Sequence, residues 1–109
     1  MKLVDLVVLL NSLNIPVAFS HFKSTSISPA PNPPYITYTT PNDDGFQADN
    51  KNYHLMTDVD IELYTDKKDL QIEQQIEQLL NDNDLPFDSY QVYIDSEEVF
   101  QKTYEVRLI

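Results

Sequence analysis

The sequence predicts an α+β domain, two helices packed on an antiparallel or mixed β-sheet in the order α-β-β-β-α-β-β, as one unit over residues 1–109. Three observations predict it. Apolar residues recur at helical spacing in two separate stretches, and a strict two-residue alternation runs through the middle of the chain. A chain of 109 residues that is 41% hydrophobic and 23% charged also has the material for one modest core, since folding at this size buries roughly 60 to 70% of the extended surface.

The first helix is read from Leu3, Leu6, Val7, Leu10 and Leu13, which share one face. It is expected to end near Asn14, a residue suited to a left-handed backbone, with Pro16 unable to continue the helix. Val4, Val8 and Leu9 widen the apolar face beyond one sheet contact. Two readings are open: a helix buried on most sides by its own fold, or one covered on its second side by a neighbouring subunit. Val17 to Phe22 reads as a short strand. Lys23 to Pro34 carries Pro29, Pro31, Pro33 and Pro34 among Ser, Thr and Asn, so it is expected to be a long loop. That loop is either a plain surface connection or a binding arm that orders on assembly.

Tyr35 to Thr40 is the second predicted strand, followed by a turn at Pro41 to Gly45. From Tyr53 to Tyr64 the odd positions Tyr53, Leu55, Val59, Ile61 and Leu63 share one side and the even positions His54, Asp58, Asp60 and Glu62 the other, which describes an antiparallel strand with one wet face. A second helix is expected from Lys67 to Asn81, capped by Asp66, with Asp69 in its first turn and Ile72, Ile76, Leu79 and Leu80 on its apolar face. Tyr90 to Ile94 and Val99 to Leu108 read as a closing hairpin around Asp95 to Glu98, with Phe100, Tyr104, Val106 and Leu108 facing inward. Of the tyrosines, Tyr38 and Tyr64 are expected on the wet face.

Composition narrows the function classes. With 18 acidic and 7 basic residues the net charge is −11, which disfavours free nucleic acid and anionic membranes and favours basic partners. The absence of cysteine excludes disulfide frameworks, thiolate zinc sites and cysteine nucleophiles. A single glycine leaves left-handed turns mainly to Asn and Asp and makes a glycine-cradled phosphate site improbable. No secretory signal is expected, because Asp5, Asn11, Ser12 and Asn14 break the N-terminal apolar run. His21 and His54 lack the spacing of a metal pair, and Asp58, Asp60 and Glu62 on one strand face match a solvated face as well as a cation site. No catalytic, cofactor-binding or metal-ligating residue is assigned, and the chain is expected not to be an enzyme.

The stretch Phe46-Gln47-Ala48-Asp49-Asn50-Lys51-Asn52-Tyr53, followed by Ile61-Glu62-Leu63-Tyr64-Thr65-Asp66-Lys67-Lys68-Asp69 and the Glu-rich helix, resembles the tail completion, or tail terminator, proteins of long-tailed bacteriophages and Gram-positive prophages. The resemblance includes the Leu-rich first helix and the C-terminal ending. It implies a subunit that assembles into a ring, typically a hexamer, at the head-proximal end of the tail in the virion. There it would end the tail tube and join it to the head, after assembly in the bacterial cytoplasm. Its partners would be its own copies, the tail tube protein and head connector proteins, with DNA only as cargo passing through. No membrane partner and no cofactor are implied. On that reading the interface is expected in the proline-rich loop (Ser24, Ser26, Pro29, Pro31, Asn32), in the turn after the second strand (Asp43, Asp44, Phe46, Asp49, Asn50) and on the exposed side of the first helix. The alternatives are another head–tail connector of the same gene cluster, or an acidic binding or inhibitor module unrelated to virions.

Overall fold

A computed structural model of the chain describes residues 1–22, 30–41 and 57–108. It has two helices and a five-stranded mixed sheet, an α+β architecture in the expected element order. Helix α1 is Leu3–Asn11, β1 Val17–Phe19, β2 Tyr35–Thr39, β3 Thr57–Thr65, α2 Leu70–Asp82, β4 Phe87–Ile94 and β5 Val99–Leu108. Across the sheet the order is β1-β2-β3-β5-β4. Only β1 and β2 run parallel; every other neighbouring pair is antiparallel. Parallel neighbours cannot be joined by a tight hairpin, which accounts for the long connection, residues 20–34, between them. Strand β5 inserts between β3 and β4, so β3, α2 and β4 form a split β-α-β unit closed by the hairpin of β5.

The alternation read in the third strand holds from Thr57 onward, while Tyr53, His54 and Leu55 lie outside the described residues. Val59, Ile61 and Leu63 are fully buried, and the even positions lie on the opposite face. Register carries that inward face across to Ile36 of β2 and to Tyr104, Val106 and Leu108 of β5. Both helices cover this one face, through Leu6 and Leu10 of α1 and Ile76 and Leu80 of α2, with Leu85 completing the cluster. Each such aliphatic side chain contributes about 1.5 to 3 kcal/mol on removal from water. Tyr104 sits in the middle of the cluster, its ring edge-on to Phe87 at 5.4 Å and its hydroxyl donating to Glu77 Oε2 at 3.0 Å.

The helix ends differ from expectation in instructive ways. Helix α1 starts with the Lys2 backbone N–H donating to Asp5 Oδ2 at 3.0 Å, so the residue that interrupts the apolar run anchors the first turn. It stops at Asn11, and Asn14 takes the left-handed conformation (φ 61°) three residues later. Helix α2 begins at Leu70 rather than Lys67: the cap is Asp69, whose carboxylate accepts from the Ile72 N–H at 3.1 Å, and not Asp66. The left-handed positions of the chain include Asn14 and Asp84, as the scarcity of glycine predicts, but also Ser20 and Glu98. Among the described residues no helix is long and apolar enough to cross a membrane.

Candidate functional site

Among the described residues the second face of the sheet carries no helix, and the register arranges its side chains in rows across four strands. One row is Tyr35, Tyr64, Gln101 and Val92; the next is Thr37, Glu62, Thr103 and Tyr90; the third is Thr39, Asp60, Glu105 and Asp88. Beyond it Asp58 stands opposite Arg107. Period-two alternation alone puts these residues here, since each is the outward partner of a core position.

The first two rows are tied together by hydrogen bonds. Thr37 Oγ1 donates to Glu62 Oε1 at 2.9 Å, and Gln101 Nε2 donates to Glu62 Oε2 and to the Tyr64 hydroxyl, both at 3.0 Å. Tyr35 stacks on Tyr64 at 4.9 Å, and Phe22 meets Tyr35 edge-on at 5.4 Å. The third row is of another kind. Asp60, Glu105 and Asp88 are like charges on directly opposite positions of three adjacent strands, an arrangement that costs stability unless a cation joins it. Partial burial, then the charge of Asp58, pushes the Asp60 carboxyl above its ordinary value. Glu62 is likewise pushed up by burial and by Asp60, against the opposing pull of the hydrogen bonds from Thr37 and Gln101. Arg107 is the one cation on these rows, and its Nε donates to Asp58 Oδ1 at 2.8 Å.

At the end of the sheet the third row opens into a cleft of about 620 Å³ between Pro41, Pro86, Phe87 and Val106 on one side and Asp58, Asp60, Asp88, Glu105 and Arg107 on the other. Its chemistry is that of an acidic surface: it offers acceptors for ammonium and guanidinium groups. Among the described residues no three histidine, aspartate or glutamate side chains converge as metal ligands. A second groove, about 510 Å³, lies between Leu13 and the outer side of α2, where Leu79 and the side chains of Gln71, Gln74, Gln75 and Gln78 line it with a mainly apolar surface.

No family model, no curated protein and no solved structure matches this chain.

Of the interface residues expected from sequence, Ser24, Ser26, Pro29, Asp43, Asp44, Phe46, Asp49 and Asn50 lie outside the described residues, as does His54. Pro31 is half-buried and Asn32 exposed, both on the approach to β2. Tyr64 is on the open face as expected, but Tyr38 is not: it pairs with Ile61 and packs partly against the core, with Phe19 edge-on at 5.4 Å. What the sequence reading does not anticipate is that β4, expected from Tyr90 to Ile94, stands at the sheet edge, with Tyr90 and Val92 on the open face and Tyr93 on the other, all about half exposed. The signal was the tyrosine-rich run Tyr90 to Tyr93. On α1, Val4 and Val8 are 62% and 64% exposed and stand one turn apart on the solvent side.

Proposed function

We propose that this chain is a non-catalytic structural subunit that assembles with its own copies into a ring at the head–tail junction of a long-tailed phage or prophage, ending the tail tube and joining it to the head. The observation that carries the reading is the apolar stripe of Val4 and Val8 on the side of α1 away from its buried Leu6 and Leu10. Two β-branched side chains one turn apart gain by being covered, and a neighbouring copy is the occupant that a ring supplies. A ring contact is head-to-tail and seats such a stripe on a different surface of the next subunit. The acidic rows of the open face give the same molecule a second surface of contrasting chemistry, suited to a basic protein. An adaptor needs both. An acidic subunit repeated around a channel would also repel the phosphates of passing DNA.

The test is absolute mass by light scattering over a wide concentration range, with negative-stain images of any large species. Rings with a central hole, of six subunits, are expected, and Val8→Glu is expected to return them to monomers with an unchanged melting temperature. A protein that stays monomeric at every concentration and binds one basic protein tightly would replace this reading with that of an acidic binding module.

A further inference from the structure

The sheet ends at β4, and among the described residues no strand pairs with its outer side. The edge is long and undefended. Its eight residues keep an unbroken one-to-one register with β5. They include no proline and no lysine, and Asp88 is their only charge. Bulges, prolines and lysines are the usual means by which proteins stop an edge from pairing with another chain. The opposite edge, β1, is three residues long and follows Pro16 directly.

The side chains at the edge fit an added strand. Tyr90 and Val92 on the open face and Tyr93 on the other stand where the side chains of a sixth strand would cover them. Tyr93 is already positioned, edge-on to Phe100 at 4.9 Å. Charge then selects the occupant. On the helix side of the edge Gln91 accepts from Lys68, and Lys68 and Lys102 converge on Glu73, so that side is compensated. On the open side the row Asp60, Glu105, Asp88 runs straight into the edge with no cation in it.

We infer that the outer edge of β4 accepts an extended segment of a basic partner protein as the sixth strand of the sheet, with a lysine or arginine opposite Asp88 and apolar side chains opposite Tyr90 and Val92. Backbone hydrogen bonds supply the affinity of such strand addition and the alternating side chains its selectivity. A second copy of this chain is a poorer occupant, since it would bring another net charge of −11 to the same edge. The inference concerns the single subunit and does not need the ring: particle images test the ring, and amide spectra of the Val8→Glu protein test the edge.

The probe is a capped octapeptide of sequence VTVTITRT, which in an antiparallel register places its arginine opposite Asp88 and its isoleucine opposite Tyr90. Titrated into isotope-labelled protein, it is expected to shift the amide resonances of Phe87–Ile94 and to slow hydrogen exchange at alternate β4 positions. Of two versions N-methylated on alternate residues, the one whose lost N–H groups face β4 should fail to bind and the other should bind. Replacing the arginine by glutamate should weaken binding about tenfold at low salt, as expected for removal of a complementary interface charge, and Val92→Lys should abolish it while leaving the melting temperature in place. The inference is overturned if both N-methylated peptides bind as the parent does, if the shifts fall elsewhere, if the parent does not bind, or if β4 amides are protected without peptide in a protein of doubled mass.

Discussion

Glu73 is the least expected member of the interior, and removing its charge makes a quantitative test of the fold. It lies in the first turn of α2 and is only 6% exposed, with Lys68 Nζ at 2.8 Å from one carboxylate oxygen and Lys102 Nζ at 3.7 Å from the other. At an effective dielectric constant of about 20, unit charges about 3 Å apart attract by roughly 5 kcal/mol before solvation is counted. Loss of hydration offsets most of that. Breaking a fully buried pair by deleting one partner costs about 3 to 5 kcal/mol, whereas an exposed pair is worth about 0 to 1 kcal/mol. Here the carboxylate is buried, but the lysine side chains keep 41% and 19% of their exposure and can rehydrate. The loss for Glu73→Gln therefore falls between those limits, at about 2 kcal/mol, part of it the favourable position of a negative charge at a helix N-terminus. In a chain of this size about 2 kcal/mol lowers the melting temperature by roughly 8 to 15 °C. Urea unfolding followed by far-ultraviolet circular dichroism, with a double-mutant cycle adding Lys68→Gln and Lys102→Gln, would measure it. A Glu73→Gln protein as stable as the parent would refute the reasoning, for it would mean that desolvation cancels the whole attraction.

Three further outcomes follow from the same structure. Asp60 and Glu62 have carboxyl groups raised above their ordinary values, so the folded chain holds their protons more firmly than the unfolded chain does. The contribution of these two groups to stability should be fully present at acid pH and be lost as pH rises through the folded values; Asp60→Asn should flatten that slope and, after solvent screening, add about 0.2 to 0.5 kcal/mol at pH 7. Tyr104→Phe deletes the hydroxyl that donates to Glu77 and should cost about 1 to 2 kcal/mol in denaturant unfolding. Because burial, then Glu77, pushes the Tyr104 phenol well above its ordinary value of 10.0, the parent should also lose stability more steeply than the variant above that pH. Ile76→Ala, at a fully buried position between α2 and the sheet, should cost about 2 to 5 kcal/mol by calorimetry.

The sequence was most legible where periodicity and burial coincide. The bounds Val99–Leu108 follow from the pattern alone, and the in–out alternation of β3 already implies which of its residues share the open face. Legibility failed where tertiary packing overrides local pattern. The apolar stripe of α2 omitted Glu73, because no local rule anticipates that lysines from β5 and from the chain before α2 converge on it. Tyr38 was assigned to the wet face because β2 is apolar and polar by turns without strict alternation, and only its register against Ile61 decides which side is inward. On α1 every residue except Asp5 and Asn11 is apolar, so helical spacing does not separate the buried Leu6 and Leu10 from the exposed Val4 and Val8. Strand β4 was read three residues short, and its position at the sheet edge depends on β5 inserting beside β3, a topological fact absent from any local window.

The same insertion gives the surface its polarity. By separating β3 from β4, β5 aligns Asp60, Glu105 and Asp88 in one row, while its Lys102 points to the other face and meets Glu73. Of the few cations in this chain, Lys68 and Lys102 neutralise a carboxylate that burial would otherwise penalise, and Arg107 holds Asp58 at the end of the sheet. Lys68 and Lys102 are committed to the other face, so among the described residues of the open rows Arg107 alone stands against Asp58, Asp60, Glu62, Asp88 and Glu105. That local excess of negative charge, in a chain whose net charge is −11, pulls on a basic partner over about 10 Å at 0.1 M salt. Steering of that range would bring a basic segment to the acidic row, and at the end of that row lies the outer backbone of β4, which pairs with no strand among the described residues. Charge and hydrogen-bonding capacity thus meet on one border of the sheet, which favours the proposed strand addition there over docking in the mainly apolar groove beside α2.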